Sequence, residues 1–144
     1  MKNDLQKLYR NLKEWGCDID CARSRFLEDD ELYVRCLTRF AWDPAFERMQ
    51  QALEGEPDYG RAYEAAHFLK GSALTLNLDP IARTAARVTG ELDGQPPRHP
   101  GDLLVQWRGL QETFRGYMEE YLSASRPSGS RSGTAPGNPD RRDR

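Results

Sequence analysis

Residues 65–78 carry the most informative pattern of the chain and read Ala65-Ala66-His67-Phe68-Leu69-Lys70-Gly71-Ser72-Ala73-Leu74-Thr75-Leu76-Asn77-Leu78. At about 100° per residue, small and apolar side chains fall on one side of a helix, as on the buried face of a bundle. That side carries Ala62, Ala65, Ala66, Leu69, Ser72, Ala73 and Leu76. His67 falls on the opposite side, close to Lys70 and Gly71. The pattern therefore predicts a helix with a reactive side chain on its exposed face.

Gly71 lies in the middle of this predicted helix, where glycine costs about 0.5–1 kcal/mol relative to alanine. Close approach of another molecule to the helix backbone best explains that choice. The neighbours of His67 on the exposed side are expected to contact that molecule; they are Gly60, Tyr63, Glu64 and Leu74. For Tyr63 and Leu74, partial burial against a neighbouring helix is nearly as good an interpretation.

The rest of the chain also follows helical periodicity, without the two-residue alternation of strands. Helices are predicted over 1–15, 18–27, 29–53 with an interruption at Asp43-Pro44, 58–76, 81–92 and 103–122. Gly16 and Asn77 are expected to end helices in a left-handed conformation, and residues 93–100 to form a loop. The predicted fold is all-α: an antiparallel up-down four-helix bundle with two short N-terminal helices covering one end.

Length and composition place the chain among single-domain globular proteins. It has 144 residues, of which 38% are hydrophobic and 31% charged. Residues 1–124 are expected to form the domain. Residues 125–144 are rich in Arg, Ser, Gly and Pro and are expected to be disordered, because they cannot bury enough apolar surface. Neither a membrane span nor a signal peptide is apparent, which favours the cytoplasm.

Charge and cysteine content argue against a nucleic-acid-binding protein and against a zinc site. The five arginines of residues 125–144 leave a mildly acidic domain, so nucleic acid is not an expected partner. Cys17, Cys21 and Cys36 are an odd number and are expected to be buried thiols in a reducing compartment. Their spacing straddles a helix end with no nearby histidine, which argues against zinc. His99, in a proline-rich segment, is expected to be simply exposed.

The sequence Ala66-His67-Phe68-Leu69-Lys70-Gly71-Ser72-Ala73 resembles the signature A-H-x-L-K-G-[SA]-[AS] of histidine-containing phosphotransfer (HPt) domains. The helical layout of residues 1–124 fits the same family. The resemblance implies an up-down four-helix bundle whose histidine accepts a phosphoryl group and passes it to or from a receiver-domain aspartate. It implies that His67 is phosphorylated, that Lys70 stabilises the phosphoryl group, and that Gly71 leaves clearance for the partner.

Two positions depart from the family pattern. Asn77 stands where glycine is common, but asparagine also tolerates the left-handed conformation. Thr89 stands where family members often have a Gln or Glu that hydrogen-bonds the histidine ring. Its hydroxyl is shorter, so two possibilities remain: Thr89 orients the His67 ring through a water, or nothing orients it.

The resemblance also defines cofactors and partners. An imidazole that is largely neutral at pH 7 can attack an aspartyl phosphate, and phosphoryl transfer relies mainly on positioning and on cations. No phosphate-cradling loop or acidic cluster surrounds His67, so no cofactor is expected on this chain and Mg²⁺ is expected on the receiver domain only. The expected partners are a receiver domain and a sensor or hybrid histidine kinase. The chain is expected to be a monomeric phosphoryl carrier rather than an enzyme.

Two other functions remain open. A binding module that is never phosphorylated could sequester a receiver domain or kinase through the same helix face. This alternative stays open because Thr89 replaces the Gln or Glu that often hydrogen-bonds the histidine ring. A metal-dependent helical-bundle enzyme is weaker, because it needs inward-facing carboxylates and a second histidine. The predicted inward positions are apolar.

Overall fold

The computed structural model describes residues 2–92 and 100–125. Within these ranges the secondary structure is entirely α-helical, in seven helices: α1 Lys2–Trp15, α2 Ile19–Arg25, α3 Asp30–Ala41, α4 Pro44–Leu53, α5 Tyr59–Thr75, α6 Asp79–Leu92 and α7 Pro100–Ser125. The predicted all-α class is confirmed for this part of the chain.

Aspartate side chains begin four of these helices by accepting a hydrogen bond from a backbone N–H of the first turn. They are Asp18, Asp29, Asp43 and Asp58. At Asp43 the chain leaves α3, and Pro44 takes the first position of α4, where its missing N–H is tolerated. The helix predicted over 29–53 is therefore two helices, because the predicted interruption is a complete restart.

Three helices end in the same hydrogen-bonding motif, in which the residue after the C-cap turns left-handed. Gly16 ends α1 with φ 112°, Leu27 ends α2 with φ 56°, and Asn77 ends α5 with φ 58°. At α2, the Leu27 N–H donates to the Ser24 carbonyl at 3.0 Å and the Glu28 N–H to the Arg23 carbonyl at 2.7 Å. The predictions for Gly16 and Asn77 are confirmed. A leucine in this conformation costs roughly 1–2 kcal/mol and was not expected.

Helix α5 packs between α4 and α6, and α7 packs against α4 and α6 in turn. Trp107 of α7 is fully buried, stacks on Phe46 of α4 with ring centroids 5.3 Å apart, and donates its indole N–H to the Phe46 carbonyl at 3.3 Å. Arg115 of α7 pairs with Glu47 at 2.9 Å. These contacts fix α4 against the middle of the long α7.

The N-terminal helices contact the far part of α7 and the end of α5. Lys7 pairs with Glu120 at 2.5 Å, and the Trp15 ring stacks on Phe114 at 6.3 Å. The buried Tyr33 of α3 donates its hydroxyl proton to the carbonyl of Leu76, the residue that follows α5, at 2.7 Å. The helices before Pro44 thus lie against the turn that joins α5 to α6.

Three further expectations differ from the structure or lie outside it. Pro100 begins α7 although it was assigned to a loop, because proline suits a first helical position; residues 93–99 lie outside the described residues. Ser125 is the last residue of α7 rather than the first of a tail, and residues 126–144 are also outside the described ranges. Of the three cysteines, Cys17 is buried, Cys36 half-buried and Cys21 exposed, so the expectation of three buried thiols is wrong for Cys21.

A charged cluster ties α1, α2 and α3 together and predicts a pH dependence of stability. Asp30 accepts hydrogen bonds from Arg23 at 2.8 Å and from the Tyr9 hydroxyl at 2.7 Å. The guanidinium of Arg23, helped by the Tyr9 hydroxyl, holds the pKa of the Asp30 carboxyl below its usual range. Stability from this carboxylate is therefore present above about pH 4 and is lost as the pH falls through the lowered pKa.

We expect the Asp30→Asn variant to lose about 1 kcal/mol of unfolding free energy at pH 7, a modest value because about a third of each charged side chain meets water. The difference from wild type should shrink progressively below about pH 4. Urea denaturation at pH 7 and at pH 3 measures both values. An equal difference at the two pH values would contradict the proposed role of the charge.

Candidate phosphotransfer site

Helix α5 separates a buried small-residue face from an exposed face. Its buried residues are Ala62, Ala65, Ala66, Leu69 and Ala73. His67 is exposed, as predicted from the helical spacing, and so are Gly60, Glu64 and Gly71. Alanine on the inner face lets α4 and α6 approach closely, and it leaves the outer face of α5 as a ridge between two grooves.

The imidazole of His67 lies against one aromatic neighbour. The Tyr63 ring, one turn earlier, is nearly parallel to it, with an angle of 3° between planes and centroids 6.3 Å apart. Within the described ranges, no hydrogen bond or ion pair joins His67 to another side chain. Tyr63 is itself 40% exposed, and its contact with a partner stays a prediction. The imidazole is open to an approaching group.

Lys70 follows His67 by about 4.5 Å along the helix axis. It is half-buried on the α6 side, where it borders a groove of about 240 Å³ together with Leu74, Ala82, Arg83 and Ala86. Asp79 also lines this groove, but no carboxylate of the described residues forms an ion pair with Lys70. Leu74 is 49% exposed on the same ridge. Arg83, which the sequence did not single out, adds a second cation at this groove.

A larger groove of about 630 Å³ runs along the other side of the ridge, between α4 and α5. Its floor includes three buried alanines, and its rim includes Arg48, Glu64 and Phe68. Phe68 is 49% exposed directly beside His67. Phe68 was not predicted as a site residue, although its position outside the stripe of core residues indicated exposure.

Gly71 has open space where a side chain would begin, since no other atom lies within 4 Å of an added Cβ outside the helix's own backbone. The packing of the residues that the structure describes therefore supplies no reason for glycine there. Its carbonyl accepts a hydrogen bond from the Thr75 hydroxyl at 3.1 Å. The clearance predicted at Gly71 lies on the solvent side of α5.

Thr89 lies on α6 and is half-buried. Its hydroxyl donates to the Ala86 carbonyl of its own helix at 2.9 Å, which uses the only proton of that hydroxyl. The hydroxyl oxygen keeps an acceptor lone pair, but no hydrogen bond joins Thr89 to His67 in the described part of the chain. Thr89 can therefore receive a hydrogen bond but cannot donate one while its bond to Ala86 is in place.

The described residues contain no group of three or more His, Cys, Asp or Glu side chains placed to hold a metal ion. Burial raises the pKa of the Cys17 thiol to about 12, so this cysteine stays protonated at neutral pH. No helix in the described ranges is both long and apolar enough to cross a membrane.

Comparison with known proteins gives one match. The family model described as Hpt domain matches residues 42–125, more than half of the 144-residue chain, and spans α4 to α7 with His67 on its second helix. No curated protein and no solved structure gives a significant match. Helices α1 to α3 precede the matched region. The extent of the match, with an exposed histidine inside it, establishes that the chain belongs to the Hpt domain family.

Proposed function

We propose that this chain is a phosphoryl carrier of a phosphorelay, in which His67 accepts a phosphoryl group from the aspartate of a receiver domain and passes it on. The exposed imidazole of His67, one turn from Lys70 and inside the Hpt match, is the observation that carries the proposal. The scaffold would be an antiparallel up-down bundle of α4 to α7. The carrier would work as a cytoplasmic monomer between a histidine kinase and a receiver domain.

The chemistry requires little from the chain beyond position and charge. A ring nitrogen of neutral His67 attacks the phosphorus of the aspartyl phosphate, the bond between phosphorus and the aspartate oxygen breaks, and the carboxylate leaves with the electron pair. The proton displaced from the phosphorylated ring passes to solvent. Lys70 offsets charge on the equatorial oxygens. The receiver domain would supply Mg²⁺ and the remaining catalytic groups, so the chain itself is a carrier rather than an enzyme.

Ring orientation would depend on Tyr63 more than on Thr89. The Tyr63 ring lies nearly parallel to the imidazole, with centroids 6.3 Å apart, whereas the Thr89 hydroxyl donates to its own helix and offers only an acceptor. Phe68 and Leu74 extend the apolar surface on either side of His67, and Gly60, Glu64 and Gly71 complete the proposed contact area. Apolar groups gathered around a reactive side chain suit a transient interface.

Phosphotransfer from a labelled receiver domain tests the proposal. The wild-type chain is incubated with host receiver domains that have been phosphorylated by acetyl phosphate carrying ³²P. The expected product is a label on this chain that is lost in acid and retained in alkali, as a phosphoramidate should be, and that maps to the peptide containing His67. A label that survives acid, or no label from any receiver domain, would contradict the proposal.

A second function is favoured by one observation, the Thr89 hydroxyl that is committed to Ala86. If His67 is never held in a productive orientation, the chain would act as a binding module that sequesters a receiver domain or kinase through the same face. This function predicts no label on the chain. It also predicts that His67→Ala leaves the affinity for the receiver domain unchanged.

The proposed clearance at Gly71 gives a separate prediction. We expect Gly71→Gln to raise the unfolding free energy by about 0.5 kcal/mol, because glutamine is the better helix former. The same change should slow phosphotransfer at least tenfold, since the new side chain stands where the partner must approach. Gly116→Gln, at an exposed glycine of α7 that also has open space, is the matched control. It should give a similar gain in stability and wild-type transfer; equal transfer in both variants would contradict the role of Gly71.

A further inference from the structure

The turn between α2 and α3 exposes a leucine in a backbone conformation that leucine rarely adopts. Leu27 has φ 56° and is 88% exposed, and Glu28 follows with φ 59°. The same end motif is filled by Gly16 at α1 and by Asn77 at α5. Glycine and asparagine are the residues that tolerate this conformation. The chain therefore uses a favourable residue twice and an unfavourable one at the third place.

Neither the motif nor the core explains Leu27. The two hydrogen bonds that close α2 are made by backbone groups and need no side chain at this position. A side chain that is 88% exposed contributes little to the core. Backbone strain that serves neither folding nor packing is concentrated at functional sites in proteins. An apolar side chain held out to solvent by such strain indicates contact with a partner.

The position of Leu27 connects it to the helix that bears His67. Two residues earlier, the Arg25 guanidinium donates to the Leu74 carbonyl at 3.1 Å and to the Thr75 carbonyl at 3.2 Å. These are carbonyls of the last turn of α5. The turn after α2 is thereby fastened to the C-terminal end of α5, next to the exposed Leu74 side chain.

An interface of ordinary size that is centred on His67 covers the C-terminal end of α5. Leu74 lies two turns after His67, about 10 Å along the axis and on the same face. A standard interface covers about 800 Å² of each partner, equivalent to a disc of roughly 16 Å radius. Such a disc centred on His67 extends past Leu74 to the end of α5, where Arg25 is hydrogen-bonded. Leu27 follows Arg25 by two residues.

We propose that Leu27 anchors the receiver domain that docks at His67, by inserting its side chain into an apolar depression on that domain. This inference rests on the proposed function, because it takes the receiver domain as the partner. It adds that helices outside the matched residues 42–125 contribute to partner selection. Leu27 acts on affinity rather than on the chemical step, since it lies beyond the reacting atoms.

Leu27→Asn separates this role from a structural one, because asparagine suits the backbone and removes the apolar side chain. The probe is the host receiver domain that exchanges phosphate fastest with the wild-type chain. We expect the melting temperature to rise by a few degrees, and the Kd for this receiver domain, measured by calorimetry, to increase about tenfold. The transfer rate at saturating receiver domain should stay at the wild-type value. Leu27→Gly should behave in the same way.

Val105→Asn is the matched control, because Val105 is 69% exposed on α7 and asparagine has a similar helix propensity. It should leave the Kd unchanged. A wild-type Kd in both Leu27 variants, with normal labelling of His67, would overturn the inference and leave the proposed function intact. If no host receiver domain transfers phosphate to the wild-type chain, both this inference and the proposed function are overturned.

Discussion

His67→Gln is expected to abolish transfer of the phosphoryl group to this chain, while leaving its fold unchanged. Glutamine has no nucleophilic ring nitrogen, and no other exposed histidine occurs on α5. His67 makes only a ring contact with Tyr63 among the described residues, so its loss should change the unfolding free energy by no more than about 0.5 kcal/mol. Acid-labile label after incubation with a phosphorylated receiver domain, compared with the circular dichroism of the same sample, measures both quantities.

The second histidine of the chain supplies the control for this variant. His99→Gln changes the same side chain at the only other position where it occurs, and it should accept label as the wild-type chain does. Retention of acid-labile label in His67→Gln together with its loss in His99→Gln would move the site away from α5. Loss in both variants would point to a defect other than a missing nucleophile.

Trp107→Ala is expected to produce the largest loss of stability. The indole is fully buried, stacks on Phe46 and donates its N–H to the Phe46 carbonyl. Truncating a buried tryptophan to alanine costs about 3–5 kcal/mol, because apolar contacts are lost and a cavity remains. Since Trp107 joins α7 to α4, the loss should appear in the cooperative unfolding of the whole domain. Urea denaturation followed at 222 nm measures it.

Trp42→Ala provides the comparison, since Trp42 is 41% exposed at the end of α3. Its loss should cost less than about 1 kcal/mol, as is usual for surface substitutions. Trp107→Phe keeps most of the apolar volume and should fall between these two values, which keeps the test informative even when the alanine variant does not fold. Equal losses for Trp42→Ala and Trp107→Ala would contradict the described packing.

Local chemistry made much of this architecture predictable. Helix starts are indicated by Asp18, Asp29 and Asp58, because their side chains accept hydrogen bonds from free backbone N–H groups. Helix ends are indicated by Gly16 and Asn77, because these residues tolerate positive φ. The exposure of His67 followed from its angle to the alanine stripe. Each of these features depends on residues within one or two turns.

Features that depend on distant contacts were not predictable in the same way. Leucine is not a residue type that predicts a left-handed helix end, so the conformation of Leu27 was not predicted. The exposure of Cys21 and Phe68 depends on which neighbouring helix fails to cover them. The hydrogen bond from Thr89 to its own helix competes with any contact to His67, and spacing along the sequence cannot decide that competition.

The pairing of α1 with the far end of α7 has a consequence for the order of events during synthesis. Lys7 and Trp15 meet Glu120 and Phe114, so α1 is synthesised well before the helix against which it packs. At translation rates of 5–20 residues per second, the intervening stretch of about 110 residues takes roughly 6–20 s. During that interval the apolar side of α1, with Leu8 and Leu12, lacks its α7 partner. The nascent chain thus exposes the apolar side of α1 until α7 has been synthesised, and this is the period when chaperones would protect it most.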